Sequence, residues 1–406
     1  MIWVVNHYAD PPDGHATRSF DLARRWVEAG HPTTIFVSNF SYYLLRPMRR
    51  IPAFRLWVDE DVEGVRFVWL RSPGYRRNNW RRALNMLTFS TLALLAGAVR
   101  GPRPHVVIGV SVHPFAALAG YLLARMKRAR FFFEVTDLWP QSLIEFGTLA
   151  PNSLTARFMR RLERFLFRHA ERIIMLWRHT DEYVESQGVS RDRIEWIPHG
   201  VELRRYEDMQ PYTGVSADPF RVMFLGGFVA ANALEVILDS AAWLKSQGRG
   251  DVRLVLIGSG QERDATIKRA EQLGLDNVEF PAAVPKADIS RVMAEADAFI
   301  YGLRDLPLYR YGISLNKLTD YLAAGRPIVF FGSSSYDPVA QANAGFSVPP
   351  GDPVAVADAI EKLVAMSPQE RKAMGERGRN YLLEHHTIPK LAEKYLKVLQ
   401  AGQPQT

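Results

Sequence analysis

The feature that most restricts this chain is an alternation of short apolar runs with longer segments of helical period, sustained from the first residues almost to the last. In the first half the runs IWVVNHY, TTIFVS, VRFVWL, VVIGVS, RFFFEV and RIIML are separated by SFDLARRWVEAG, the stretch Ala83 to Val99, AALAGYLLARMKR and a basic segment from Leu154 to Arg172. Runs of this length and composition predict strands, and the intervening periodicity predicts helices, with Gly30-His31 stopping the first helix. The alternation restarts after IEWIPHGVE with FRVMFLGG, NALEVILDSAAWLKSQG, VRLVLIGSG, RDATIKRAEQLG and VEFPAAV, and continues through DAFIYGL, LNKLTDYLAAG and PIVFFG. Strands separated by helices form parallel, doubly wound sheets. The last three helical segments have no strands between them, so they pack on the second domain or cross back to the first.

A chain of 406 residues exceeds what one core supports, since single cores stop growing at roughly 250 to 300 residues. The expected division is an N-terminal Rossmann-like domain over 1–200, a second over 201–380, and a C-terminal helix and tail over 381–406. There are no cysteines, so disulfides and thiolate metal sites are excluded, and a cytoplasmic location is expected. The N-terminus lacks a basic leader and a small-residue cleavage site and is expected to be a first buried strand. The formal charge of +8 is uneven: residues 1–199 carry 28 Lys+Arg against 18 Asp+Glu, and the remainder 23 against 25. That asymmetry reflects either an arginine-rich genome, since only Lys127 of the 28 is lysine, or an anionic partner for the first half, a phosphate-bearing acceptor or an anionic membrane face, with Arg76, Arg77, Arg81 and Arg82 as contacts. The uncharged Ala83 to Val99 stretch is at the lower limit of a membrane span and is diluted by Thr88, Ser90 and Thr91, so a buried helix is expected.

In open parallel sheets ligands bind beyond the carboxyl ends of the strands. In the second half these ends hold Gly226-Gly227, Gly258-Ser259-Gly260 and the stretch before the helix that starts at Leu315. Glycines there admit a ligand to the backbone, and a helix N-terminus favours a diphosphate. In the first half Gly14, His15 and Arg18 lie beyond the first strand, His113 beyond VVIGVS, and Asp137 beyond RFFFEV within TDLWPQS. Each is either a cleft residue or a structural turn residue; Arg18 offers a planar fork for phosphate.

The order of these pieces resembles the family 4 glycosyltransferases. The resemblance is carried by RLVLIGSGQERDATIKRAEQLGLDNVEFPAAV, by YGISLNKLTDYLAAGRPIVF as the donor-clamping segment, by IPHGVE as the link, and by DGHATRSFDLARRWVEAGHPTTIFVS near the start. It implies a GT-B architecture, two facing Rossmann-like domains with a donor and acceptor cleft, and retaining transfer from a nucleotide sugar. HPFAALAGYLLA, EVTDLWPQSLIEFG and GFVAANALE look most like bacterial O-antigen and capsule enzymes, including N-acetyl-L-fucosamine transferases. That likeness implies a UDP-sugar donor carrying an N-acetylated hexosamine or 6-deoxyhexosamine, an undecaprenyl-diphosphate-linked acceptor, and a peripheral place at the inner face of the plasma membrane. No cofactor is expected, and no nucleic-acid partner either, since the sequence lacks a recognisable nucleic-acid-binding motif.

Two departures from the family stand out. Where the family has Glu-x7-Glu, this chain has Gly312 and Asp320, and Asp320 is expected to hold the ribose. Where the family has Gly-Arg and a later Lys, this chain has Gly227 and Asn232, so another cation must offset the leaving diphosphate. Lys317, beside Asn316 and Ser314 in the donor-clamping segment, is the expected one, with Arg304 and Arg310 as second choices. The expected catalytic set is Lys317, Asp137 and His113, and no divalent metal is expected, on the reading that no Asp-x-Asp tripeptide occurs anywhere in the chain. A nucleotide-sugar 2-epimerase of the same fold and a non-catalytic protein that binds anionic surfaces are the rival readings.

Overall fold

The computed structural model describes all residues except 43, 77, 78, 217, 286, 287, 315 and 402–406. Arg77 and Leu315, singled out above, therefore lie outside the described residues. The chain divides into two compact units, Met1–Pro198 with Ile388–Thr406, and His199–Thr387.

The first unit is an eight-stranded sheet of β1 (Ile2–Val5), β2 (Thr33–Ser38), β3 (Trp57–Val62), β4 (Val65–Leu70), β5 (Val106–Val110), β6 (Arg130–Val135), β7 (Arg172–Met175) and β8 (Ile194–Trp196). Its order is β3-β4-β2-β1-β5-β6-β7-β8. Seven strands run parallel, and β3 is antiparallel to β4. The wholly parallel sheet expected from sequence is thus corrected at one edge. Glu63 and Gly64, at φ of 50° and 80°, form the tight turn, and two positive φ values in succession suit a two-residue hairpin. β3 reads WVDEDV and is half solvent-facing, so it lacks the apolar run that marks a buried strand.

The helices are α1 (Arg18–Glu28), α2 (Trp80–Val99), α3 (Pro114–Lys127), α4 (Gln141–Glu145), α5 (Leu154–His169) and α6 (Asp181–Glu185). α2 packs on α3, and α3 on α5. Gly97 permits the first contact, because a Cβ there would stand 2.4 Å from Leu123 Cδ2. The expected burial of α2 is corrected too: only about a third of its apolar stretch is buried. Phe89, Leu92, Ala93 and Ala96 face inward, and the opposite side is exposed. Strand order reverses between β1 and β5, which makes the carboxyl ends of those strands the first unit's switch point.

The second unit is a wholly parallel six-stranded sheet of β9 (Phe220–Leu225), β10 (Val252–Ile257), β11 (Val278–Glu279), β12 (Ala298–Gly302), β13 (Ile328–Phe331) and β14 (Gly345–Val348). Its order, β11-β10-β9-β12-β13-β14, reverses between β9 and β12. Around it lie α7 (Leu234–Ser246), α8 (Arg263–Gln272), α9 (Ile289–Met293), α10 (Asn316–Ala324), α11 (Pro338–Ala342), α12 (Pro353–Ala365) and α13 (Pro368–His385). The sequence did not single out α11 or the short, half-exposed β14. Ser367 and Glu370 open α13 with a reciprocal capping box, which satisfies two otherwise orphaned N–H groups.

The last helix, α14 (Ile388–Gln400), belongs to the first unit. Ile388, Leu391, Ala392, Tyr395, Val398 and Leu399 form a helical apolar stripe that joins the core containing Ile2, Val4, Phe20 and Trp26. Trp26 meets Tyr395 edge to face at 5.0 Å and donates Nε1–H to the Ala392 carbonyl at 3.3 Å.

Candidate functional site

The carboxyl edge of the second unit gathers the glycine turns and α10. Tyr321, fully buried on α10, accepts from Leu225 N at 2.8 Å and donates to Leu225 O at 3.1 Å. This double bond fastens the helix to the last residue of β9. Lys317, one turn earlier, is thereby laid over the next residue: a Cβ on Gly226 would stand 2.2 Å from Lys317 Cε and 3.0 Å from Nζ. Any side chain at 226 would displace the end of that lysine from this position. Its Nζ lies 5.5 Å from the Tyr301 ring and 6.0 Å from that of Phe224, and it forms no hydrogen bond or salt bridge with any described residue. Burial lowers its pKa to about 8, partly opposed by the charge of Asp320.

The neighbouring turn comes equally close to β9. A Cβ on Gly258, at φ 152°, would fall 1.8 Å from the Gly226 carbonyl oxygen, and one on Gly260 2.3 Å from that of Phe228. Phe228 N donates to Ser259 O at 2.9 Å, so the two turns are laced through their backbones. Arg263 donates to Gly258 O at 3.2 Å and Phe280 O at 3.0 Å. It adds a guanidinium beside this turn that the sequence had not marked.

Asn232 is 2% exposed. Its amide donates to Gly227 O at 2.7 Å and accepts from Tyr301 Oη at 3.1 Å, so it braces the glycine turn. Asp320 Oδ1 accepts from Tyr206 Oη at 2.6 Å; the sequence had no signal for Tyr206, which arrives from a remote 3-10 turn. Ser314 Oγ accepts from His199 N at 2.8 Å. Asn316 opens α10 and is exposed. Gly312 has φ 95°, a conformation costly for any residue with a Cβ, so glycine there meets a backbone need. Arg304 is committed to a surface pair with Glu235 at 3.3 Å, and Arg310 donates to Tyr311 Oη at 2.6 Å.

In the first unit, Asp137 lies just beyond β6. Ser111 holds its turn: Ser111 Oγ accepts from Thr136 N at 3.0 Å and donates to Asp137 O at 3.4 Å, while Ser111 O accepts from Trp139 Nε1 at 2.8 Å. The Asp137 carboxylate makes no hydrogen bond with a described residue and is exposed. The protein around it still strips enough hydration to push its pKa up to about 6.

His113 is committed on both ring nitrogens. Its Nδ1 accepts from Ala116 N at 3.2 Å, capping α3, and Nε2 lies 2.6 Å from His7 Nδ1. An Nδ1 that accepts places the neutral ring's proton on Nε2, which then donates to His7. Burial holds His113 at about 3 and His7 well below its usual value, so both rings are neutral at pH 7. His113 is a structural bridge across the switch point, not a base with a lone pair to offer. Arg18 is also turned inward: Nε pairs with the buried Glu134 at 3.2 Å, and Nη1 and Nη2 donate to Pro198 O at 2.5 Å and Ile197 O at 2.9 Å. A buried carboxylate needs such a partner, which corrects the expectation of a phosphate fork. Gly14 is held in a loop whose next two N–H groups donate to Asp10 Oδ2, and His15 is exposed.

The same edge carries a cluster that the sequence did not disclose. Arg82 lies 4.8 Å above the Tyr42 ring and interacts electrostatically with Tyr8 and Tyr75. Tyr8 stacks on Tyr42 at 5.1 Å. Tyr42 is exposed, Tyr8 and Arg82 are half-buried and Tyr75 is buried beneath them, so an aromatic face and a guanidinium meet at the surface. One further correction concerns metal motifs: the chain does contain an Asp-x-Asp, Asp59-Glu60-Asp61, on β3. Asp59 is forked by Arg100 at 2.7 and 2.8 Å, Glu60 binds Arg49 and Trp69, and Asp61 caps the turn at Gly64.

Two Rossmann-like units, each with its strand order reversed at a switch point, are the fold of the GT-B glycosyltransferases, and this chain is one of them. Residues 13–200 match the glycosyl transferase 4-like domain and residues 219–366 the glycosyl transferases group 1 domain, so each unit of the chain matches a glycosyltransferase domain. It is similar to the probable glycosyltransferase WbjE of Pseudomonas aeruginosa, 20% identical over 270 residues that cover 64% of this chain and 66% of that protein. The fold matches a sucrose-phosphate synthase from Thermosynechococcus elongatus with a TM-score of 0.75, at 16% identity and 98% coverage of both chains. It also matches Anabaena HepE in complex with UDP-glucose, with a TM-score of 0.67, 12% identity and coverage of 98% and 99%.

Proposed function

We propose that this enzyme takes an N-acetylated hexosamine or 6-deoxyhexosamine from a UDP-sugar and transfers it, with retention, to a lipid-linked saccharide such as an undecaprenyl-diphosphate-linked one. The donor sits on the carboxyl edge of the second unit. The observation that carries this is Lys317, an unpaired ammonium laid across Gly226 at the switch point between β9 and β12. A cation held there meets the diphosphate as its charge grows on bond cleavage. Asp320, already fixed by Tyr206, retains acceptor capacity for ribose hydroxyls. The UDP-glucose complex of HepE supports a UDP-sugar as the donor class.

On the first unit, Asp137 is the base or orienting group for the acceptor hydroxyl, and the Tyr8, Tyr42 and Arg82 cluster holds the saccharide. The leaving diphosphate and the incoming hydroxyl occupy the same face of the sugar, so no carboxylate nucleophile is invoked. Transfer proceeds without a divalent metal, in the cytoplasm at the inner face of the plasma membrane. The test is turnover of a UDP-sugar panel by wild type and Lys317→Ala with an added saccharide acceptor. UDP release that depends on acceptor and falls about 10²- to 10³-fold in the variant supports the assignment; acceptor-independent UDP release overturns it in favour of an epimerase.

A further inference from the structure

α2, α3 and α5 form one layer of the first unit, and the outer face of that layer has an unusual composition. Along α2, Leu84, Leu87, Leu95 and Val99 are 45%, 48%, 49% and 77% exposed, and α3 adds Leu122 and Met126. Their spacing makes a stripe along a helix of 20 residues, about 30 Å long. The three helices contain one carboxylate, Glu163, and it is buried. Beside the stripe α5 presents Arg157, Arg161 and Arg168, none with a hydrogen bond or ion pair from its guanidinium to a described residue. Where α3 and α5 end, a groove of about 770 Å³ is lined by Arg125, Arg128 and Arg168.

We propose that this face lies flat on an anionic phospholipid bilayer. The stripe of α2 and α3 enters the boundary between headgroups and acyl chains, and the arginines of α5 and of the groove meet lipid phosphates. α2 cannot leave the protein to span a membrane, because Phe89, Leu92, Ala93 and Ala96 are packed inside the unit. A helix fixed in this way, apolar outward and flanked by cations, has the character of an in-plane interfacial helix. A second copy of the chain is a poor occupant. Symmetric pairing sets the same patch against itself; the three helices would bring their exposed arginines together with no exposed carboxylate of their own, and of the groove's two carboxylates Glu171 is held by Arg130 and Asp192 by Ser190. The face differs from the Arg76 to Arg82 region suggested by sequence, where Arg82 turns toward phenol rings.

This deepens the lipid-linked acceptor proposed above, and the test separates the two. Full-length protein is sedimented with phosphatidylcholine vesicles with and without phosphatidylglycerol, containing no saccharide acceptor, at low and high salt. Binding should rise with phosphatidylglycerol and fall with salt. Replacing Arg157, Arg161 and Arg168 by Gln should weaken binding up to about 100-fold, and replacing Leu84, Leu87 and Leu95 by Ser should abolish what salt leaves. Both variants should melt as wild type does and retain transfer to a water-soluble acceptor. Equal binding to neutral and anionic vesicles, unchanged binding in both variants, or a micromolar dimer abolished by the leucine replacements overturns the proposal. Failure of wild type to transfer to the soluble acceptor overturns the acceptor reading and leaves the vesicle result standing.

Discussion

Tyr206 donates its hydroxyl hydrogen to Asp320 Oδ1 across 2.6 Å, joining residues 114 positions apart at the donor edge. The carboxylate is thereby oriented before any ligand arrives, which lowers the ordering cost of binding. Asp320→Ala should weaken UDP itself about 10- to 100-fold, the scale of one hydrogen bond to a charged group, and not merely the UDP-sugar. Tyr206→Phe should cause a smaller loss of the same kind. Calorimetry with UDP checks both, and unchanged UDP affinity in Asp320→Ala removes the ribose assignment.

Lys317→Ala should lower kcat about 10²- to 10³-fold while changing donor KM much less, because the cation is most useful when the glycosidic bond is breaking. Lys317→Arg should recover part of the loss, since the guanidinium is longer and planar and the space over Gly226 is fitted to a lysine chain. A defect confined to KM would make Lys317 a ground-state donor contact only.

The pH dependence follows from the same two groups. Lys317, lowered by burial to about 8, loses its charge above that pH; Asp137, raised by lost hydration to about 6, gains its charge above that one. A plot of kcat/KM, which reports the free enzyme, should therefore rise through about 6 and fall through about 8. The alkaline limb should flatten in Lys317→Arg, because arginine does not deprotonate in this range. An alkaline limb unchanged in that variant assigns it to another group.

Turnover should survive excess EDTA. In the proposed site Lys317 supplies the positive charge for the diphosphate, and the chain's Asp-x-Asp is spent on β3 with Arg100 and the turn at Gly64. Loss of activity in EDTA, restored by magnesium or manganese, contradicts this.

Gly258→Ala should damage both stability and donor binding. The new Cβ would lie 1.8 Å from the Gly226 carbonyl oxygen at φ 152°, adding backbone strain of about 1 to 3 kcal/mol and displacing the turn beneath Lys317. Thermal melting and UDP binding should both fall. A variant with wild-type melting and affinity would show that the two turns do not need this close approach.

The sequence by itself determined the alternation of buried strands and helices, the two Rossmann-like units, and the carboxyl edges on which Gly226, Gly258, Lys317 and Asp320 lie. Those features are legible because continuous apolar runs, helical period and turn glycines are local consequences of burial and backbone sterics. β3 escaped because one of its faces is wet and its run is polar. Only the tertiary structure decided which way the polar side chains point. His113 and Arg18 have the residue types and positions of site groups, yet a second histidine and a buried carboxylate claim them, since a buried polar group must find a partner wherever the chain supplies one. Conversely Tyr206, Tyr321 and Ser111 became positioning residues through bonds to positions about 25 to 115 residues away, which no local pattern encodes. The outward stripe of α2 has the same origin: its composition reads equally as core, span or surface, and the packing of Phe89 and Ala93 inside the unit settles which side faces water.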